Sequence, residues 1–152
     1  RRGRGKQAVI DGIFFENIRM DHVMTPFVIN SFYFCDPDGH SEYVQTKDVM
    51  PVDHRTPEIR TLIFHDIVAR NCHVAGAFFY GMPEQKIRKI IMEQIHITYA
   101  EQAKSGEAAM MDGARTVSRQ GIYANNVEYL QLRDVVIEGQ EGEAVVTENI
   151  GQ

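Results

Sequence analysis

Acid–base or metal chemistry in this chain would have to come from six histidines, His22, His40, His54, His65, His73 and His96, and from acids such as Asp11, Asp21, Asp36, Asp48, Asp53 and Asp112. Their spacing offers little. No HExxH and no histidine pair at ligand spacing on one strand face occurs, and no GxSxG elbow, so neither a zinc nor a serine hydrolase is indicated. The stretch "DPDGHSEYV", residues 36–44, opens like a calcium loop, but that loop wants a third oxygen ligand two residues after the second and a glutamate at its twelfth position. Those places hold His40 and Lys47, so the stretch reads as an Asp-Pro-Asp-Gly turn. The aspartates read as turn and loop acids. No metal and no cofactor is expected. The one concentrated charge is "RRGRGK", where Arg1, Arg2, Arg4 and Lys6 offer either a landing point for an anionic ligand or a solvated loop.

The elements that position such residues must come from 152 residues, enough for one domain with a core. An apolar content of 43% against 24% charged is globular rather than disordered composition, and no apolar run nears the ~20 residues of a membrane-spanning helix. A net charge of −5 argues against a nucleic-acid partner, because phosphate binding needs a basic face. Cys35 and Cys72, with no CxxC, are expected as free thiols in a reducing compartment, a single bridge being the alternative; this leans toward the cytoplasm over secretion. With no signal peptide and no initiating methionine, the chain is expected to be a piece of a longer protein.

Self-similarity decides the architecture. "IDGIFFENIRM" (residues 10–20) returns as "IRTLIFHDIVA" (59–69), "IRKIIMEQIHI" (87–97) and "VEYLQLRDVVI" (127–137), aligned without a gap. Its fourth position holds Ile13, Leu62, Ile90 and Leu130, its sixth Phe15, Phe64, Met92 and Leu132, and its ninth Ile18, Ile67, Ile95 and Val135. The eighth is always polar: Asn17, Asp66, Gln94 and Asp134. On a helix the sixth position would lie about 200° round from the fourth, on the solvent side; in a strand the two share a face. Strands are therefore predicted, with the polar eighth position at a corner between two of them. The fifth column, Phe14, Ile63, Ile91 and Gln131, is apolar in three copies although strands would point it outward. A second apolar stretch follows each copy: "PFVI" (26–29), "AFFY" (77–80), "AMMD" (109–112) and "AVVT" (144–147).

Unequal spacing between copies implies inserted loops, the first being residues 34–58, rich in Asp, Pro and His. The expected fold is all-β: a right-handed parallel β-helix of about four rungs, in which each rung buries its apolar face only against its neighbours. An exposed rung is expected at the N-terminal side, with self-association through it as the liability.

The words "GRGK...FENIRM", "TPFVINSFYFCDPDGHSEYV", "RTPEIRTLIFHDI", "FFYGMPEQKI" and "IEGQEGEA" together resemble the C-terminal half of bacterial glycoside hydrolase family 28, the polygalacturonases. The resemblance covers essentially the whole chain. It implies a pectinase-like solenoid whose parent cleaves galacturonide linkages of a pectic oligo- or polysaccharide with inversion, one carboxylic acid protonating the leaving oxygen while others activate water. In that family the acids sit in an Asn-Thr-Asp motif and an Asp-Asp pair, followed by a Gly-His-Gly and an Arg-x-Lys that grips the uronate carboxylate. No "NTD", "DD" or "GHG" occurs here, so the resemblance puts the acids upstream and makes this portion inactive alone. Arg4 and Lys6 imitate the Arg-x-Lys, although "RRGRG" more closely resembles the stretch just after it. Tyr33 follows the apolar strand "FVINSFY", as does a family tyrosine bordering the cleavage subsite; the alternative is an ordinary loop tyrosine beside Phe32 and Phe34. Two other readings stay open: a rhamnogalacturonan or other pectic glycosidase on the same scaffold, and a non-enzymatic β-helical stalk that binds glycans.

Overall fold

The computed structural model describes residues 3–151. Arg1 and Arg2 of the basic run lie outside the described residues. The chain is all-β, seven of its strands forming one curled parallel sheet that half-encloses a core. In chain order the elements are β1 (Val9–Ile10), β2 (Ile13–Asp21), β3 (Phe27–Asn30), the single-turn α1 (Glu42–Gln45), β4 (Glu58–Ile59), β5 (Thr61–Cys72) and β6 (Ala75–Tyr80). Then follow β7 (Ile87–Tyr99), β8 (Gly106–Glu107), β9 (Thr116–Val117), β10 (Gln120–Glu138) and β11 (Val145–Ile150).

The four copies of the repeat lie side by side in chain order, in the register the columns dictate. Ile13 pairs with Leu62, Leu62 with Ile90 and Ile90 with Leu130; Phe15, Phe64, Met92 and Leu132 pair in the same way. Both columns point into the core, where Leu62, Phe64, Ile90 and Met92 are buried. Burying such a side chain contributes about 1.5–3 kcal/mol, and stacked columns repeat that gain at every level. Phe64 anchors the aromatic part of the core, stacked on Phe15 at 5.0 Å and meeting Phe27 edge-on at 5.2 Å.

The polar eighth position is the corner the sequence predicts. Asn17, Asp66, Gln94 and Asp134 all adopt left-handed backbone, with φ between 52° and 58°. Asparagine and aspartate tolerate that conformation because their short side chains bond locally. The Arg19 guanidinium donates to Asp66 Oδ1 at 3.0 Å and to the Asp66 carbonyl at 2.9 Å, tying one corner to the next.

A second row of strands runs β3, β6, the first half of β10 and β11. Its inward residues, including Phe27, Ala77, Phe79, Ile122 and Ala124, complete the core. Its outward residues form two ladders: Val28, Phe78, Tyr123 and Val146, and beside it Asn30, Tyr80, Asn125 and Glu148.

One expectation needs correction. "PFVI", "AFFY" and "AVVT" fall on β3, β6 and β11, but "AMMD" is not a strand. The third-level strand is Gln120–Asn125, paired with β6, and residues 108–112 belong to an arm over the outside of the sheet. The 34–58 insertion carries α1 and buries Val44 and Gln45. Both thiols are free, Cys35 exposed and Cys72 buried. Burial pushes the Cys72 thiol up to about 11.

At the N-terminal side of the sheet, β2 has, among the described residues, one edge unpaired, and Phe14 is 55% exposed on it. At the opposite side Leu130, Leu132, Val135 and Ile137 are only half-buried. Burial along each repeat column therefore peaks at the two middle levels.

Candidate functional site

The outward face of the second strand row carries more than structure. Phe78, Tyr80 and Tyr123 cluster there, with Phe78 and Tyr123 stacked at 5.3 Å and Tyr80 6.1 Å from Tyr123. Three large rings on the outside of a sheet need a cover, and the chain supplies two. One is the 34–58 insertion, which follows Phe32, a ring that meets Tyr80 edge-on at 5.2 Å. The other is the arm, residues 106–117, whose base is the short antiparallel pair β8–β9. The arm sets Ala108, Ala109 and Met111 against the outward rings.

Hydrogen bonds fix the arm across the face. Asn30 Nδ2 donates to the Met110 carbonyl at 3.2 Å, and the Asp112 amide donates to Gln45 Oε1 at 3.0 Å. Gln45 is buried and joins both covers, because its Nε2 also donates to the carbonyls of Phe32 at 2.6 Å and Gly39 at 2.7 Å. At the rim His40 Nδ1 lies 2.9 Å from Asp112 Oδ1. Lys47 Nζ sits 4.3 Å over the Phe32 ring, and burial lowers its pKa below the ordinary lysine value.

The arm divides the outward face into two hollows that share Ala108. The larger, about 650 Å³, is bordered by Val28, Asn30, Tyr33, Phe34 and Met110 and continues toward Ile10 and Ile59. That volume lies in the range of small-ligand sites, roughly 300–1,000 Å³. In its wall Thr25 Oγ1 is shielded from solvent and, among the described residues, has no hydrogen-bond partner. The smaller, about 200 Å³, is lined by Phe78, Tyr80, Tyr123, Met111, Arg115 and Gln120. At its edge Tyr123 Oη and Asn125 Nδ2 both donate to Glu148 Oε2, at 2.9 and 3.0 Å. Burial raises the phenol of Tyr80, and raises that of Tyr123 to about 12.

The candidate residues separate. Tyr33 borders the larger hollow, its phenol raised chiefly by a hydrogen bond with the Cys35 side chain. Lys6 is exposed and lines neither hollow. Arg4, a candidate carboxylate grip, is instead 1% exposed. Its Nε donates to Glu84 Oε1 at 2.6 Å and its Nη2 to Glu84 Oε2 at 2.9 Å. It also donates to the carbonyls of Tyr43, Thr46 and Asp48. A guanidinium engaged this way holds the 42–48 segment in place and presents no donor to a groove. The reason is size and charge: a buried arginine must be saturated, and α1 and the turn after it supply the carbonyls.

Sequence reasoning missed Arg115, Tyr80 and Tyr123. Tyr80 lies two residues from outward Phe78, and Tyr123 stands between inward Ile122 and Ala124, so alternation alone could have flagged both. Arg115 carries no such signal. Among the described residues no group of three or more His, Cys, Asp and Glu side chains is placed to hold a metal. No known protein family, curated protein or solved structure matches the chain.

Proposed function

We propose that this chain is the C-terminal portion of a pectin-acting, polygalacturonase-like glycoside hydrolase built as a right-handed parallel β-helix. The observation that carries the reading is the larger hollow: a mainly apolar groove that carries Tyr33, Phe34 and Asn30 along one border, built over an outward sheet face by two inserted loops. A sugar ring wants both an apolar wall and hydroxyl or amide partners, and Phe34, Tyr33 and Asn30 supply those types along one border. The strand registers and the left-handed corners that recur at each level support the solenoid.

In this reading the residues here form one wall of the substrate groove. The general acid and the water-activating carboxylates, roughly 6.5–9.5 Å apart in an inverting glycosidase, stand on levels outside this chain. The chain alone then releases no reducing ends from polygalacturonate, whereas the longer parent does so with inversion at the anomeric carbon. Nuclear magnetic resonance of the first product tests this directly. Turnover by the chain alone at an enzyme-like rate would overturn the assignment of the acids, and an unsaturated product from the parent would mark a lyase and overturn the hydrolase.

A further inference from the structure

The smaller hollow lies on the other side of the arm from Tyr33, and its chemistry differs. Its floor is aromatic, and its volume of about 200 Å³ falls below the roughly 300–1,000 Å³ of drug-sized sites, which suits a single ring. One cation stands in its wall. Among the described residues Arg115 makes no hydrogen bond and no ion pair, although the chain's net charge is −5 and acids are plentiful. A guanidinium presents paired donors that match a carboxylate. Next to Tyr123 of the floor, Glu148 accepts through Oε2 from Tyr123 and Asn125, which leaves Oε1 to receive a hydroxyl.

We propose that this hollow is a separate carbohydrate site that seats one hexuronate ring, its apolar side on Tyr80 and Tyr123, a hydroxyl at Glu148 and its carboxylate held by Arg115. The ligand class rests on the pectin-acting reading above; the site itself rests on the unpartnered cation beside an aromatic floor. Because the arm stands between the two hollows, this site binds its ring independently of Tyr33.

Titration of the chain with galacturonate, digalacturonate and galactose, followed by isothermal calorimetry and amide chemical shifts, tests the proposal. Galacturonate is expected to bind at least about tenfold tighter than galactose, the contribution of a charge-assisted pair. Arg115→Gln should abolish that preference while leaving galactose binding and thermal unfolding unchanged, since the side chain is exposed. Tyr33→Ala should leave both ligands' affinities for this hollow as they are. Equal binding of the two sugars by the unaltered chain, no binding of either, or a preference that survives Arg115→Gln overturns the proposal. Cleavage of polygalacturonate by the parent alongside any of those results sinks this site and spares the hydrolase. Arg115-dependent uronate binding with no cleavage by the parent does the reverse.

Discussion

Replacing Glu84 with glutamine removes a carboxylate that accepts two hydrogen bonds from the buried Arg4 guanidinium. The side chains of the pair are 1% and 3% exposed, and two contacts of 2.6 and 2.9 Å join them. Breaking one partner of such a pair leaves an uncompensated charge and costs about 3–5 kcal/mol. Three backbone carbonyls still solvate Arg4, at 3.2, 2.6 and 3.0 Å, so the cost should fall at the low end, about 3 kcal/mol. For a domain of this size each kcal/mol lowers Tm by about 2–4 °C, giving a drop of roughly 6–12 °C. Thermal and urea unfolding followed by circular dichroism would measure it, and hydrogen exchange should show residues 42–48 losing protection first. The double variant Arg4→Met with Glu84→Leu removes the charge as well but leaves the carbonyls of Tyr43, Thr46 and Asp48 without this donor, so it should recover only part of the loss. A Glu84→Gln variant within about 0.5 kcal/mol of the original would refute the claim that the charge is sealed from water. So would a double variant as unstable as the single one.

Four further outcomes follow from the same coordinates. Gln94 holds φ of 54° with an exposed side chain, so Gln94→Val should destabilise by about 1–2 kcal/mol in urea titration while Gln94→Gly stays within a few tenths. Tyr123 ionises near 12 in the folded chain against an ordinary 10.0, so the unfolded chain loses its proton first as pH rises; stability present below pH 10 is lost between 10 and 12, up to about 2–3 kcal/mol. Tyr123→Phe should flatten that alkaline decline in unfolding curves taken at stepped pH. A Cβ on Gly39 would lie 2.0 Å from the Phe34 carbonyl oxygen, so Gly39→Ala should open the 34–39 turn, cost about 2 kcal/mol or more, and expose residues 34–41 to limited proteolysis. The unpaired β2 edge with its exposed Phe14 should give a sedimentation mass that rises with concentration, and Phe14→Lys should suppress the rise.

Strand identity and register were legible because the repeat aligns four copies without gaps. Once Ile13 and Phe15 share a face, Leu62 with Phe64 and Ile90 with Met92 must share it too. The outward fifth column also resolves: Phe14 is exposed and Ile63 and Ile91 half-buried, apolar residues on the outer surface of the first strand row. The third level misled. "AMMD" has the apolar content of a strand, yet Ala109 and Met111 are buried against outward rings, and hydrophobicity does not say which side of a sheet a side chain covers. The strand that fills that level, Gln120–Asn125, is written "QGIYAN" and looks weaker than the arm before it. The site was half legible for the same reason. Tyr33 could be singled out from the strand before it, but the two hollows exist only because the arm crosses the face, a long-range event joined through Gln45, Asn30 and Asp112. Arg4 lies buried in this structure, and a charge run says nothing of which member turns inward.

The left-handed corners carry a consequence for how this molecule tolerates change in length. Asn17, Asp66, Gln94 and Asp134 stand one above another, so the chain changes direction at the same height along every course. Adding or deleting a single residue between a fourth position and its corner would invert the side chains of that course and misalign it with both neighbours. Lengthening the excursions that leave after Asn30 and after Tyr99 disturbs no alignment. Variation in such a protein is therefore channelled into the two excursions that shape the hollows, while the courses beneath them are held to fixed length.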